Sequence, residues 1–166
     1  MKKIIPLSLF SFILASLFLS GLVLSGLLGA GSTANAFFGG KFKSVTPENN
    51  RISIPLSQIS DGQAHYFTTP SEKGVKVEFF VVKSLDGIVR AAVDACDVCY
   101  RSGKGYSQEG DVMVCGNCGM RFSTDRINEV KGGCNPAPLT RTIESDNLVI
   151  SMADINANAW LCEFKK

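Results

Sequence analysis

The chain has 166 residues, with 17 Lys and Arg against 15 Asp and Glu and a single histidine. A formal net charge of +2 without a basic cluster leaves no electrostatic footprint for nucleic acid. One histidine, His65, also excludes the His₃ and His₂Glu sets of catalytic zinc sites.

Lys2 and Lys3 are followed by no charged residue until Lys41, and Ile4 to Ala30 is mostly Leu, Ile, Phe, Ser and Gly. A positive head, an apolar stretch and then Ala34-Asn35-Ala36 match a secretory signal cleaved after Ala36. The same stretch reaches the ~20 residues that span a bilayer. Residues 1–36 therefore read as a signal peptide or a signal-anchor. Either way Lys2 and Lys3 stay in the cytoplasm and the rest lies outside. The expected location is the cell envelope, with the C-terminal domain on the extracytoplasmic (periplasmic) side, membrane-anchored or secreted. No cysteine precedes Cys96, so no lipid anchor on an N-terminal cysteine is expected.

About 130 residues follow, enough for one domain with its own core. Residues 37–50, "FFGGKFKSVTPENN", read as a linker and residues 51–166 as the domain. Strand signals come next: "RISIPL" from Arg51, "AHYFTT" from Ala64, and the β-branched and aromatic "VKVEFFVVK" from Val75. Asp86-Gly87 between two apolar runs predicts a hairpin. "DVMVC" after Glu109-Gly110 predicts another strand, and the residues around Ser145-Asp146-Asn147 a further hairpin. Only "MADINANAW", from Met152, suggests a helical turn or two. The expected fold is a small all-β sandwich or open barrel with cysteines in its loops.

Four of the six cysteines form two Cys-x-x-Cys units, Cys96/Cys99 and Cys115/Cys118, with 15 residues between them. Each unit on a tight turn aims two sulfurs at one point, and two such knuckles complete a tetrahedral S₄ site at the short end of zinc-ribbon spacing. Gly119, directly after Cys118, suits the left-handed residue such a knuckle needs. All-thiolate sites suit zinc, iron or iron–sulfur chemistry, whereas calcium and magnesium take oxygen. Structural disulfides and a redox-active dithiol remain open as alternatives in an exported protein, and six cysteines allow fifteen pairings. Cys134, in "GGCNP", is a possible accessory ligand or resolving thiol. Cys162, beside Trp160 and Phe164 in sequence order, reads as a core residue or a disulfide partner of Cys134. His65 reads as a strand residue or a metal ligand, and Met113 and Met120 as packing or as soft ligands to Cu(I). Asp94, Asp97 and Glu109 read as loop polarity, while Arg101, Lys104 and Arg121 would offset thiolate charge. No nucleophile–base pair or water-activating constellation is present, so no enzyme activity is claimed.

Two resemblances follow from these motifs. From "AAVDACDVCYRSGKGYSQEGDVMVCGNCGMRF" onward the layout resembles the two-loop cluster region of Rieske domains. Cys96 and Cys115 stand at that family's cysteine positions, with Cys99 and Cys118 near its histidines. Thiolate in place of histidine implies a lower potential and no proton coupling for a 2Fe–2S centre. "DACDVCY", "CGNCG" and "GGCNPAP" together resemble the exported domain of the FtrD-like membrane iron–sulfur family. That resemblance implies a membrane-associated domain binding an iron–sulfur cluster or a single tetrathiolate metal, iron or zinc. The ligands would be Cys96, Cys99, Cys115 and Cys118, with Cys134 accessory. It further implies redox handling or electron delivery for envelope iron transport, with an inner-membrane iron transporter or redox partner beside it. The alternatives are an envelope thiol–disulfide oxidoreductase and a structural zinc module for a partner interface.

Overall fold

The structure, a computed structural model, describes residues 40–165. The expected signal or anchor over residues 1–36 lies outside the described residues. Ten strands and one α-helix are described. They are β1 (Lys43–Ser44), β2 (Arg51–Pro55), β3 (His65–Pro70), β4 (Lys76–Lys83), β5 (Val89–Val93), β6 (Tyr106–Glu109), β7 (Val112–Cys115), β8 (Arg121–Ser123), β9 (Arg141–Glu144), β10 (Asn147–Ser151) and α1 (Met152–Asn158). The all-β expectation holds, and the strands form three sheets ordered β1-β3-β4-β5, β2-β10-β9 and β6-β7-β8.

The apolar run 79–82 within β4 explains how these sheets stack. Alternate residues of a strand face opposite sides, and here both sides are buried. Phe79 and Val81 join one apolar core with Ile52, Ile54, Leu148, Ile150 and Ile155, from β2, β10 and α1. Phe80 and Val82 join the other, with Tyr106, Met113, Cys96, Cys99 and Cys115. The four-stranded sheet thus lies between the β2-β10-β9 sheet and the cysteine-bearing β6-β7-β8 sheet. Burying a Phe on either face contributes about 1.5–3 kcal/mol.

The hairpins expected at Asp86-Gly87 and Ser145-Asp146 both form, pairing β4 with β5 and β9 with β10. Gly87 takes a left-handed φ of 82° in the first. The helical turns after Ser151 form as α1, whose first turn is capped by the Ser151 hydroxyl accepting from the Asp154 N–H. The short strands β6 and β8 carry little apolar signal of their own and are seen only in the structure. Lys43 and Ser44, inside the stretch read as a linker, pair in parallel with Phe67 and Thr68 of β3.

Candidate metal centre

Three loops converge at one end of the β6-β7-β8 sheet. The first leaves β5 at Val93 and carries Cys96 and Cys99. A 3-10 turn, Tyr100–Ser102, closes it, ending on Gly103 at φ 66°. The Cys99 N–H donates to the Cys96 sulfur at 3.2 Å, and the Tyr100 N–H to the Cys96 carbonyl at 3.1 Å. The second loop joins β7 to β8. Cys115 ends the strand, the Gly119 N–H donates back to its carbonyl at 2.9 Å, and Gly119 has φ 73°, as expected for the knuckle. The Gly116 N–H donates to the Gly105 carbonyl at 2.8 Å and ties the second loop to the first.

The third loop carries Cys134 and is fastened along β5. The Val93 N–H donates to the Ala137 carbonyl at 2.8 Å, the Ala137 N–H to Ala95 at 3.0 Å, and the Leu139 N–H to Ala91 at 3.0 Å. From β6, the Tyr106 hydroxyl donates to the Cys134 carbonyl at 2.6 Å.

The result is a cluster of five thiols, four of them arranged around the sulfur of Cys99. Cys96, Cys99 and Cys134 form one group with mutual sulfur separations within 4.8 Å, and Cys99, Cys115 and Cys118 form another. Cys96, Cys99 and Cys115 are buried, Cys134 is half-buried and Cys118 is exposed. All four expected ligand candidates are therefore brought together, and Cys134 joins them. Cys162 does not. It is 3% exposed in the main core, where the Glu78 N–H donates to its sulfur at 3.4 Å. Of the two readings for Cys162 the core residue holds, and no disulfide links it to Cys134, since both are free.

His65 bonds to Asp61 at 2.7 Å on the protein surface and belongs to neither sulfur group. Met113 is fully buried packing, while Met120 is exposed. Arg101 lies over the Tyr100 and Phe164 rings, and Arg121 pairs with Glu109. Lys104 packs beside Gly116.

The thiols differ in acidity. The Met120 N–H leads the influences that hold Cys118 below the ordinary thiol range. Burial pushes Cys115 up to about 11 and also raises Cys134. At Cys99 the Asn117 amide favours the thiolate, but burial and neighbouring sulfurs leave the group raised.

The roles of four supporting residues, Asp94, Lys41, Lys165 and Asn117, are visible only in the structure. Asp94, read as loop polarity, is 1% exposed and accepts the Tyr106 N–H at 2.8 Å. Its other oxygen takes the ammonium groups of Lys41 at 3.2 Å and Lys165 at 2.8 Å. Asn117, between the two cysteines of "CGNCG", donates its side-chain amide to the Cys99 sulfur at 3.4 Å. Nothing local in the sequence marks Lys165. For Asn117 the signal was its place inside the knuckle, where a donor faces sulfur.

The donor set fits a thiolate-held metal. It is all sulfur, it is gathered without disulfides, and N–H groups are aimed at Cys96 and Cys99 where anionic sulfur would gain from them. The fold and site define a β domain whose clustered cysteines are capable of holding a metal. Residues 59–161 match the family described as membrane iron–sulfur containing protein, FtrD-like, and the chain belongs to that family.

No curated protein matches the sequence. Among solved structures, the quaternary ammonium Rieske monooxygenase CntA is similar in several forms. Its complex with an inhibitor gives a TM-score of 0.40 at 15% identity, over 60% of this chain and 30% of that one. Its complex with gamma-butyrobetaine gives 0.39 at 16% identity, over 59% and 30%. The chain thus spans about a third or less of those enzymes, and their activity does not transfer to it. Among the described residues no helix is long and apolar enough to cross a membrane.

Proposed function

We propose that this chain is a membrane-associated metal module of the cell envelope that handles electrons for iron transport. Ligation would come from Cys96, Cys99, Cys115 and Cys118, with Cys134 beside them. A thiolate-bound iron or iron–sulfur centre supplies one-electron exchange at low potential. The chain's own residues hold the thiolates, keep water from the buried sulfurs and leave Cys118 as the outward-facing one. Residues 1–36 would deliver the domain to the extracytoplasmic side and, uncleaved, keep it at the membrane. An inner-membrane iron transporter or its redox partner would be the neighbour.

One observation carries this reading: the gathering of five thiols from three loops, with Cys99 common to both groups, in a member of a membrane iron–sulfur family. The test is metal and acid-labile sulfide analysis, with visible spectroscopy, on the full chain purified without oxygen. Iron with charge-transfer bands, lost in Cys96→Ser and Cys118→Ser, is the expected result. Metal content unchanged by both substitutions would overturn the site.

A second reading, an envelope thiol–disulfide oxidoreductase, is favoured by Cys118 alone, which is exposed and more acidic than an ordinary thiol. It requires metal-free protein with a titratable dithiol. Stoichiometric metal and no reactive thiol would dismiss it.

A further inference from the structure

Five sulfurs are one more than a tetrahedral ion accepts. The surplus has a pattern. Each sulfur group holds three thiols within 4.8 Å of one another, and Cys99 alone belongs to both. Cys96 is not grouped with Cys115 or Cys118 among the described residues. Resting on the reading that these thiols hold metal, we propose that the site takes two metal ions and that Cys99 is the ligand they share. Cys96 and Cys134 complete one three-thiolate set, and Cys115 and Cys118 complete the other.

Three observations support this division. Cys134 is fixed rather than adrift. The Tyr106 hydroxyl holds its carbonyl at 2.6 Å, and the loop after it is bonded along β5. Cys99 is gripped from both sides of the site. It belongs to the first loop, yet the side-chain amide of Asn117 reaches its sulfur from the second. A sulfur supported by both loops is the one positioned to serve both ions.

Charge gives the third reason. Five thiolates around one divalent ion leave three negative charges uncompensated, in a site whose three inner sulfurs are buried. Around two divalent ions a single negative charge remains. Of the cations near the loops, Arg121 is already paired with Glu109, and Arg101 lies over the Tyr100 and Phe164 rings. Three thiolates per ion also leave each ion one position for an exogenous ligand, and sulfide is the chemically suited class.

The experiment is titration of the metal-free full chain, reduced and without oxygen, with ¹¹³Cd²⁺, followed by bound-metal analysis and ¹¹³Cd NMR. The expected result is two cadmium ions per chain, giving two thiolate-shifted resonances that are coupled to each other through the shared sulfur. Cys134→Ser is expected to lower the stoichiometry from two to one, sparing the resonance of the Cys115/Cys118 set. Should that variant misfold, the unsubstituted chain still decides the matter. One ion per chain overturns the two-ion site but leaves the metal reading intact. Two uncoupled resonances overturn the shared role of Cys99. No bound cadmium overturns the metal reading itself.

Discussion

The carboxylate of Asp94 and the ammonium of Lys165 lie 2.8 Å apart with side chains only 1% and 4% exposed. Lys165 also reaches Glu78 at 3.0 Å, and Lys41 shares the same Asp94 oxygen. Asp94 stands two residues before Cys96, so segments from both ends of the described chain are tied behind the first cysteine loop.

Removing one partner of such a pair strands the other charge. Asp94→Ala is expected to cost about 3–5 kcal/mol, read as a lowered urea midpoint. Lys165→Met leaves Asp94 its Lys41 partner and is expected to cost less. Burial alone would lower the Lys165 pKa, but Asp94 and Glu78 outweigh it and hold the ammonium above the ordinary lysine range. The contribution is complete below the unfolded lysine value and fades as pH rises through the raised one. Lys165→Met is therefore expected to shrink the alkaline arm of the stability profile, leaving the part owed to buried Tyr66 and Tyr106.

Gly105 is at φ 64°, and a Cβ there would run into the Asp94 carboxylate. Gly110, at φ 61°, has open space around the same position. Gly110→Ala is expected to cost about 1–2 kcal/mol, for the left-handed backbone alone. Gly105→Ala is expected to cost visibly more, because Asp94 must move, and thermal denaturation of the two variants separates the effects.

Thiol acidity and exposure rank the cysteines of the metal-free, reduced protein. Iodoacetamide at mildly alkaline pH is expected to modify Cys118 first, as the exposed thiol held below the ordinary range. Cys115, buried and raised to about 11, follows far behind. Cys162, buried and also raised, reacts only on unfolding. Peptide mapping by mass spectrometry reads the order directly.

Cys162 and Cys115 separate packing from ligation. Cys162→Ala is expected to cost about 0.5–3 kcal/mol while bound metal stays constant. Cys115→Ser is expected to remove metal from the centre. Metal analysis beside denaturant unfolding distinguishes them.

Chelation is expected to act on one core and spare the other. The cluster around Ile52, Phe79, Leu148 and Ile155 contains Cys162 but none of the five gathered thiols, whereas the second cluster includes Cys96, Cys99, Cys115 and Cys134 among its members and neighbours. After metal removal, amide exchange should accelerate in β6, β7 and β8 and change little in β2 and β10.

The sequence made β4 legible because its apolar residues are continuous, and it made the two knuckles legible because Cys-x-x-Cys is a local geometric unit. Neither property extends to β6 or β8. "YSQE" and "RFS" are strands because β7 lies between them, a long-range cause with little local composition to announce it. Cys134 was legible as an accessory position only through its glycine- and proline-flanked loop. Its meeting with Cys96 depends on backbone bonds between that loop and β5, which no spacing rule encodes. Asp94 was misread because an acid beside thiols suggests solvent polarity. Its burial becomes sensible only with Lys165, 71 residues downstream.

That separation gives the protein a timetable. At the usual ~5–20 residues per second of synthesis, Lys165 follows Asp94 by roughly 4–14 seconds. During that interval Asp94 has Lys41 but not Lys165 as its cation. The buried pair behind the first cysteine loop is therefore complete only once the segment carrying Lys165 has joined it.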